Sequence, residues 1–125
     1  MNDVAEEALA ARVLVVDDDP GLLRMMRLAL VSEGLEVVTA TDGAEALDRI
    51  SAQSFDVVVL DLQMPRMDGR TFYREIRSRH NETPVVILSA YGAESARNEL
   101  GAQGAINKPF DPFELIDTVT GLSRA

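Results

Sequence analysis

Cysteine is absent from the 125-residue chain, which excludes disulfides, thiolate metal sites and cysteine nucleophiles and is compatible with a reducing compartment. Histidine occurs once, as His80. With no partner residue apparent, it reads as a solvated helix-end residue rather than a phosphocarrier or ligand. Long apolar runs are missing too: none exceeds four residues, whereas a membrane-spanning helix needs about 20. The segment Met1 to Ala11 is acidic and lacks the cationic and apolar regions of a secretory signal. A cytoplasmic protein without a membrane span is therefore expected. Positive charge is scarce, with 12 Lys and Arg against 21 Asp and Glu and a formal net charge of −9. Duplex binding relies on cationic side chains replacing counterions along the phosphates, so direct nucleic-acid binding is not expected. Most of the acidity serves solubility, and part of it is available to build a cation site.

The rest of the composition, 46% hydrophobic and 26% charged, is that of one globular domain with a real core. Its organising stretch runs from Val57 to Gly69. Four consecutive apolar residues, Val57 to Leu60, three of them β-branched, suit a strand buried on both faces. Asp61 follows at once, then a loop marked by Pro65 and Gly69. Aspartate is rarely buried unless paired, which places Asp61 where the sheet meets solvent. Its plainest role is to end the strand.

Around that stretch the chain alternates. Residues 1–11 read as an N-terminal arm without chemistry, and residues 12–123 as a single domain. Arg12 to Val16 is a buried strand. Asp19 and Pro20 then suit the N-cap and first position of a helix, with a stripe of Leu22, Met26, Ala29 and Leu30 and a C-terminal Gly34. Glu36 to Ala40 is a more mixed strand, followed by a helix opened by Asp42-Gly43 with Ala46, Leu47 and Ile50 on its apolar face. After the strand at 57–60, Asp68 caps a helix carrying Phe72 and Ile76, with Arg74, Arg77, Arg79 and His80 towards its end, where cations favour the macrodipole. Val85 to Leu88 is another apolar strand ending in Ser89-Ala90. A short helix over 93–100 leads to a brief strand, Ala105 to Asn107, then Lys108-Pro109-Phe110. Asp111-Pro112 opens a last helix with Leu115, Ile116, Val119 and Leu122 inward.

Five such β–α units imply an α/β fold, a doubly wound parallel sheet with helices on both faces. The uniformly apolar first, third and fourth strands belong in the centre and the mixed second and fifth at the edges. The order 2-1-3-4-5 meets this and puts the switch point between strands 1 and 3. All strand carboxyl ends then share one edge. Asp17 and Asp18 follow the first strand, Asp61 the third, Ser89 the fourth and Lys108 the fifth; the second contributes nothing obvious. Each has an ordinary alternative as a helix start, a turn hydroxyl or a surface charge. Their convergence on one edge favours a site. Three carboxylates left alone would repel, and a hard divalent cation such as Mg2+ relieves that.

The segments Val15-Val16-Asp17-Asp18-Asp19-Pro20, Asp61-Leu62-Gln63-Met64-Pro65-Arg66-Met67-Asp68-Gly69, Ser89-Ala90 and Lys108-Pro109-Phe110, in this order, resemble the receiver domain of two-component response regulators, over residues 12–123. The resemblance implies a flavodoxin-like (βα)5 fold with Asp61 as phosphoacceptor. Asp61 would take a phosphoryl group from a sensor histidine kinase, a phosphotransfer protein or a small acyl phosphate. It further implies Mg2+ held by Asp18, Asp61 and the backbone carbonyl of Gln63, with Asp17 acting mainly through bound water. Lys108 would pair with the phosphoryl oxygens, and Ser89 would hydrogen-bond the phosphoryl group and move towards it on activation. Gln63 and Tyr91 occupy positions that tune phosphoryl loss. Such a domain is no enzyme towards other substrates. It works by changing how it binds a downstream protein, as a monomer or weak dimer, and a chain complete at Ala125 would be a stand-alone regulator.

Two features depart from the pattern. Ala105 stands three residues before Lys108, where receiver domains usually carry a Tyr or Phe rotamer switch. The Ser89-to-Lys108 interval is also shorter than usual by about three residues, roughly one helical turn. Phosphorylation chemistry is expected to be intact while its readout differs. Other classes fit less well. A phosphohydrolase similar to haloacid-dehalogenase-type enzymes would use the Asp-x-Asp of Asp17 to Asp19, but needs a later acidic pair and usually a cap domain. A flavodoxin-like nucleotide binder would not place three carboxylates where phosphate must sit. A receiver-like interaction module indifferent to phosphorylation would have no use for the acidic, Ser and Lys positions together.

Overall fold

The computed structural model describes residues 10–123, so the expected arm at 1–11 lies almost wholly outside the described residues. Among the described residues five strands, β1 (Arg12–Val16), β2 (Glu36–Ala40), β3 (Val57–Asp61), β4 (Val85–Ser89) and β5 (Gly104–Asn107), alternate with five helices. These are α1 (Pro20–Val31), α2 (Gly43–Ala52), α3 (Gly69–Ser78), α4 (Ala93–Leu100) and α5 (Pro112–Ser123). All strand pairs are parallel, in the order β2-β1-β3-β4-β5. The flavodoxin-like (βα)5 architecture is as expected, edges included, because the apolar strands can only be satisfied in the middle of the sheet.

Strand alternation divides the core in two. Leu14, Val16, Val58, Leu60, Val85 and Ile87 pack under α2, α3 and α4, while Val13, Val15, Val57, Val59, Val86, Leu88 and Ile106 pack under α1 and α5. All five residues of β3 are buried. Burying an aliphatic side chain of this size stabilises by roughly 1.5–3 kcal/mol, so the four apolar residues of β3 outweigh the cost of carrying Asp61 inside. The strand therefore reaches Asp61 instead of stopping at residue 60. Asp61 is also more enclosed than a strand-tip aspartate open to solvent, at 5% exposure.

The helix ends follow their caps. Asp19 accepts from Gly21 and Leu22, Asp42 from Glu45, and Asp68 from Thr71. In α1 the buried stripe is Leu23, Met26 and Leu30. The expected Leu22 is only half-buried, because a stripe anchored on Met26 and Leu30 takes its preceding turn at i−3. Gly34, at φ +85°, ends α1 with its amide on Val31 and the Leu35 amide on Leu30, a Schellman closure. His80 ends α3 in the same way at φ +64° and is exposed, as expected of a solvated helix-end residue. No described helix is long and apolar enough to cross a membrane.

Candidate functional site at the carboxyl edge

Continuing the register Val16↔Leu60 by one step sets Asp17 beside Asp61 at the end of the two central strands. The Asp17 amide still bonds to the Ala40 carbonyl at 3.1 Å, so Asp17 is held as firmly as the strand before it. Carboxylate oxygens of Asp17, Asp18 and Asp61 lie within 4.8 Å of one another. Asp17 is fully buried and Asp18 exposed. One Asp17 oxygen accepts the Asp19 amide at 2.9 Å and the other accepts Lys108 Nζ at 2.7 Å. Lys108 Nζ also reaches Asp61 Oδ1 at 3.2 Å. The Lys108 backbone is fixed by its amide bond to the Ser89 carbonyl at 2.8 Å, and the following Lys108–Pro109 peptide is cis.

One cation thus serves two buried carboxylates. The Asp61 carboxyl is pushed above its usual range by burial first and by the Asp17 charge second, with Lys108 opposing both. Burial works against the charged form of Lys108, yet its hydrogen bond to Asp17 and the charges of Asp17 and Asp61 hold its ammonium above the usual lysine value. The edge carries surplus negative charge and a donor set of hard oxygens, which suits a small divalent cation. An apolar hollow of about 450 Å³, lined by Leu22, Met25, Ala90, Lys108, Pro109 and Phe110, opens beside the lysine.

Ser89 stands at the same edge but is not brought onto the carboxylates. Its hydroxyl donates to the Tyr91 carbonyl at 2.7 Å and accepts the Tyr91 amide at 3.3 Å. Gln63 lies in the loop between β3 and α3, exposed. That loop is pinned at several points. The Gly69 amide bonds to Leu62 O at 3.1 Å and the Gly43 amide to Met67 O at 2.9 Å. A Cβ on Gly69 would lie 2.4 Å from the Asp61 carbonyl oxygen, and one on Gly43 2.5 Å from the Met67 oxygen, so both close approaches require glycine.

After the second strand, where nothing obvious is expected, Asp42 stands at the same edge as the N-cap of α2. Arg66, at φ +65° in the β3–α3 loop, donates both Nε (2.7 Å) and a terminal nitrogen to Asp42 Oδ2. Asp42 is held below its usual range, chiefly by its bond from the Glu45 amide and then by Arg66. The helix-cap pattern of Asp42 was visible in the sequence. Its partner 24 residues on had no local signal. Asn107 carries no local signal either: its Oδ1 accepts the Ala93 amide, 14 residues earlier, at 3.0 Å.

In a doubly wound domain the carboxyl edge at the switch point is where ligands bind, and here that edge carries the Asp17, Asp18 and Asp61 cluster. The response regulator receiver domain model matches residues 13–120, and the chain belongs to this family. Among curated relatives, the transcriptional regulatory protein GlrR of Escherichia coli (strain K12) is 40% identical over 112 residues, covering 87% of this chain and 25% of that one. Response regulator MprA of Mycobacterium bovis (strain BCG / Pasteur 1173P2) is 38% identical over 119 residues, covering 93% and 52%. The chain therefore spans between a quarter and about half of the length of these relatives. Among solved structures, the receiver domain of Francisella response regulator 1452 superimposes with a TM-score of 0.86 at 34% identity, over 91% of this chain and 97% of that one. Chemotaxis response regulator CheY4 of Vibrio cholerae gives 0.82 at 36%, over 90% and 98%.

Proposed function

We propose that this receiver domain is a phosphoacceptor of a two-component relay, with Asp61 as the residue modified. The observation that carries the reading is the enclosed carboxylate pair Asp17 and Asp61 bridged by Lys108 in a chain of this family. An Asp61 carboxylate oxygen attacks the phosphorus of a phosphohistidine on a sensor kinase or phosphotransfer protein, or of an acyl phosphate. A P–O bond forms as the P–N or P–O bond to the donor breaks, and the bonding pair leaves with the donor. Water later attacks the same phosphorus, releasing inorganic phosphate and restoring the Asp61 carboxylate. The chain turns over no other substrate in this scheme.

Such transfer needs positioning and charge neutralisation more than covalent help. Asp18, Asp61 and the Gln63 carbonyl would hold Mg2+, with Asp17 acting mainly through bound water; the cation supplies neutralisation of the phosphoryl oxygens. Lys108 stays protonated between the carboxylates and pairs with a phosphoryl oxygen once Asp61 is esterified. Ser89 donates to another phosphoryl oxygen after leaving the Tyr91 carbonyl. Gln63 and Tyr91, both exposed, would tune how readily water reaches the phosphoryl group. The output is a change in affinity for a downstream protein, without direct nucleic-acid contact by this domain, in the cytoplasm and from a monomer or weak dimer.

Intact mass after incubation with acetyl phosphate and Mg2+ tests this. Wild type gains one phosphoryl group and Asp61→Ala gains none. No gain in wild type, or an equal gain in the variant, refutes the assignment.

A further inference from the structure

Helix α4 begins without a cap of its own. Its N-cap residue, Gly92, lies in the left-handed region at φ +64° and offers no side chain to the helix. The first turn of a helix leaves its amides unpaired, and Ala93, the first residue of α4, is fully buried. The missing acceptor comes from another strand: Asn107 Oδ1 takes the Ala93 amide at 3.0 Å. Asn107 is also the register partner of Ser89 in the β4–β5 ladder, and the next residue, Lys108, anchors the Ser89 carbonyl at 2.8 Å.

The segment Ala90–Gly92 is therefore clamped at both ends by consecutive residues of β5 and the turn after it. Ser89 is fixed through Lys108, and Ala93 through Asn107. Between the clamps, the Ser89 hydroxyl spends its single proton on the Tyr91 carbonyl. Donation to a phosphoryl oxygen on Asp61 requires that bond to break, because a hydroxyl has one proton to give. The Tyr91 carbonyl then turns to water, and the backbone that rearranges is the segment leading through Gly92 to the Ala93 amide. Ala105 lies two residues before Asn107, on the same side of β5 by strand alternation. Its methyl group has no rotamer through which a signal could pass.

We propose that Asn107 is a positioning residue. It sets the backbone that holds Ser89 away from Asp61, and it couples release of the Ser89 hydroxyl to the start of α4. The signal passes along backbone 90–93 and the Asn107 carboxamide in place of an aromatic rotamer. This rests on the phosphoacceptor reading of Asp61.

The test is amide NMR of wild type, Asn107→Val and Asn107→Asp with Mg2+ and beryllofluoride as the phosphoryl mimic. In wild type, Asp61, Ser89 and Lys108 shift together with Ala93 to Ala96. In Asn107→Val the shift at Asp61 persists on saturation while the response of Ala93 to Ala96 falls by half or more. Asn107→Asp, which keeps the acceptor oxygen, restores it. A plain helix cap would move thermal stability without altering this ratio of responses. An α4 response in Asn107→Val equal to wild type overturns the coupling alone. No response at Asp61 in wild type overturns the acceptor reading and the coupling with it. A second measurement needs no variant: hydrogen exchange of the wild-type Ala93 amide accelerates on adding beryllofluoride, and unchanged protection overturns the proposal.

Discussion

Asp61 and Asp42 have the same surface exposure, 5% each, and both sit at the carboxyl edge of the sheet, yet their electrostatics are opposite. Asp42 has its own guanidinium from Arg66 and amide donors from the start of α2, and its carboxyl is held low. Asp61 shares a single ammonium with the fully buried Asp17, and its carboxyl is pushed up. The first corner is neutralised and serves structure, clamping the β3–α3 loop. The second is left with surplus charge, which in the proposed function an incoming cation, or a phosphoryl group with its cation, would balance. Equal surface exposure therefore does not make two carboxylates alike: burial and the Asp17 charge raise Asp61 against one shared lysine, while the donors around Asp42 outweigh its burial.

The largest effect should come from removing Lys108, which bridges Asp17 and Asp61. Lys108→Met is expected to slow phosphorylation by acetyl phosphate by about 100-fold, the usual cost of losing a charge aimed at the transferring group. A rate within a few-fold of wild type would mean that the corner is balanced by something other than Lys108. Next, Gly69→Ala drives a Cβ into the backbone of Asp61. It should destabilise by about 1–3 kcal/mol as overpacking does, seen by urea denaturation, and weaken Mg2+ binding by displacing the Gln63 loop. Full stability would show that this loop is not rigid.

Breaking the neutralised corner should cost less. Asp42→Ala removes a helix cap and the Arg66 partner, for a loss of about 1–2 kcal/mol at neutral pH. The Asp42 carboxyl is lowered by folding, so its contribution is present above the unfolded value of 3.8 and is lost as pH falls through the folded one. The gap between wild type and variant should close in acid; a constant gap would assign it to packing. The smallest effect has the opposite sign. The Asp61 carboxyl is raised by folding, so its contribution is present below the unfolded value of 3.8 and lost as pH rises through the folded one. Asp61→Asn should therefore raise the thermal midpoint at neutral pH without Mg2+, and the gain should shrink towards about pH 4. A lowered midpoint at neutral pH would remove the contrast between the two corners.

Much of this arrangement is legible in the chain, for local reasons. Uninterrupted Val, Ile and Leu runs can only be central strands, and Asp-Pro and Asp-Gly pairs start helices through bonds spanning two or three residues. Strand order then follows from which strands need two covered faces, and it carries Asp17, Asp61, Ser89 and Lys108 to one edge. The misses share a cause. Leu22 and Leu23 both fit a helical stripe until the partner surface is known, and packing buries Leu23. Asp42 and Arg66, and Asn107 and Ala93, meet across 24 and 14 residues, a distance over which periodicity carries no information.

By itself the sequence determined the sheet, its order and which residues lie at its carboxyl edge, since hydrophobic periodicity and strand polarity settle these. Only the tertiary structure decided how charge is shared there. One lysine lies between two buried aspartates, an arginine is spent on Asp42, and an asparagine holds α4 beside Ser89. Those pairings depend on distances between side chains brought together by folding, and electrostatic and hydrogen-bond energies change steeply over such distances.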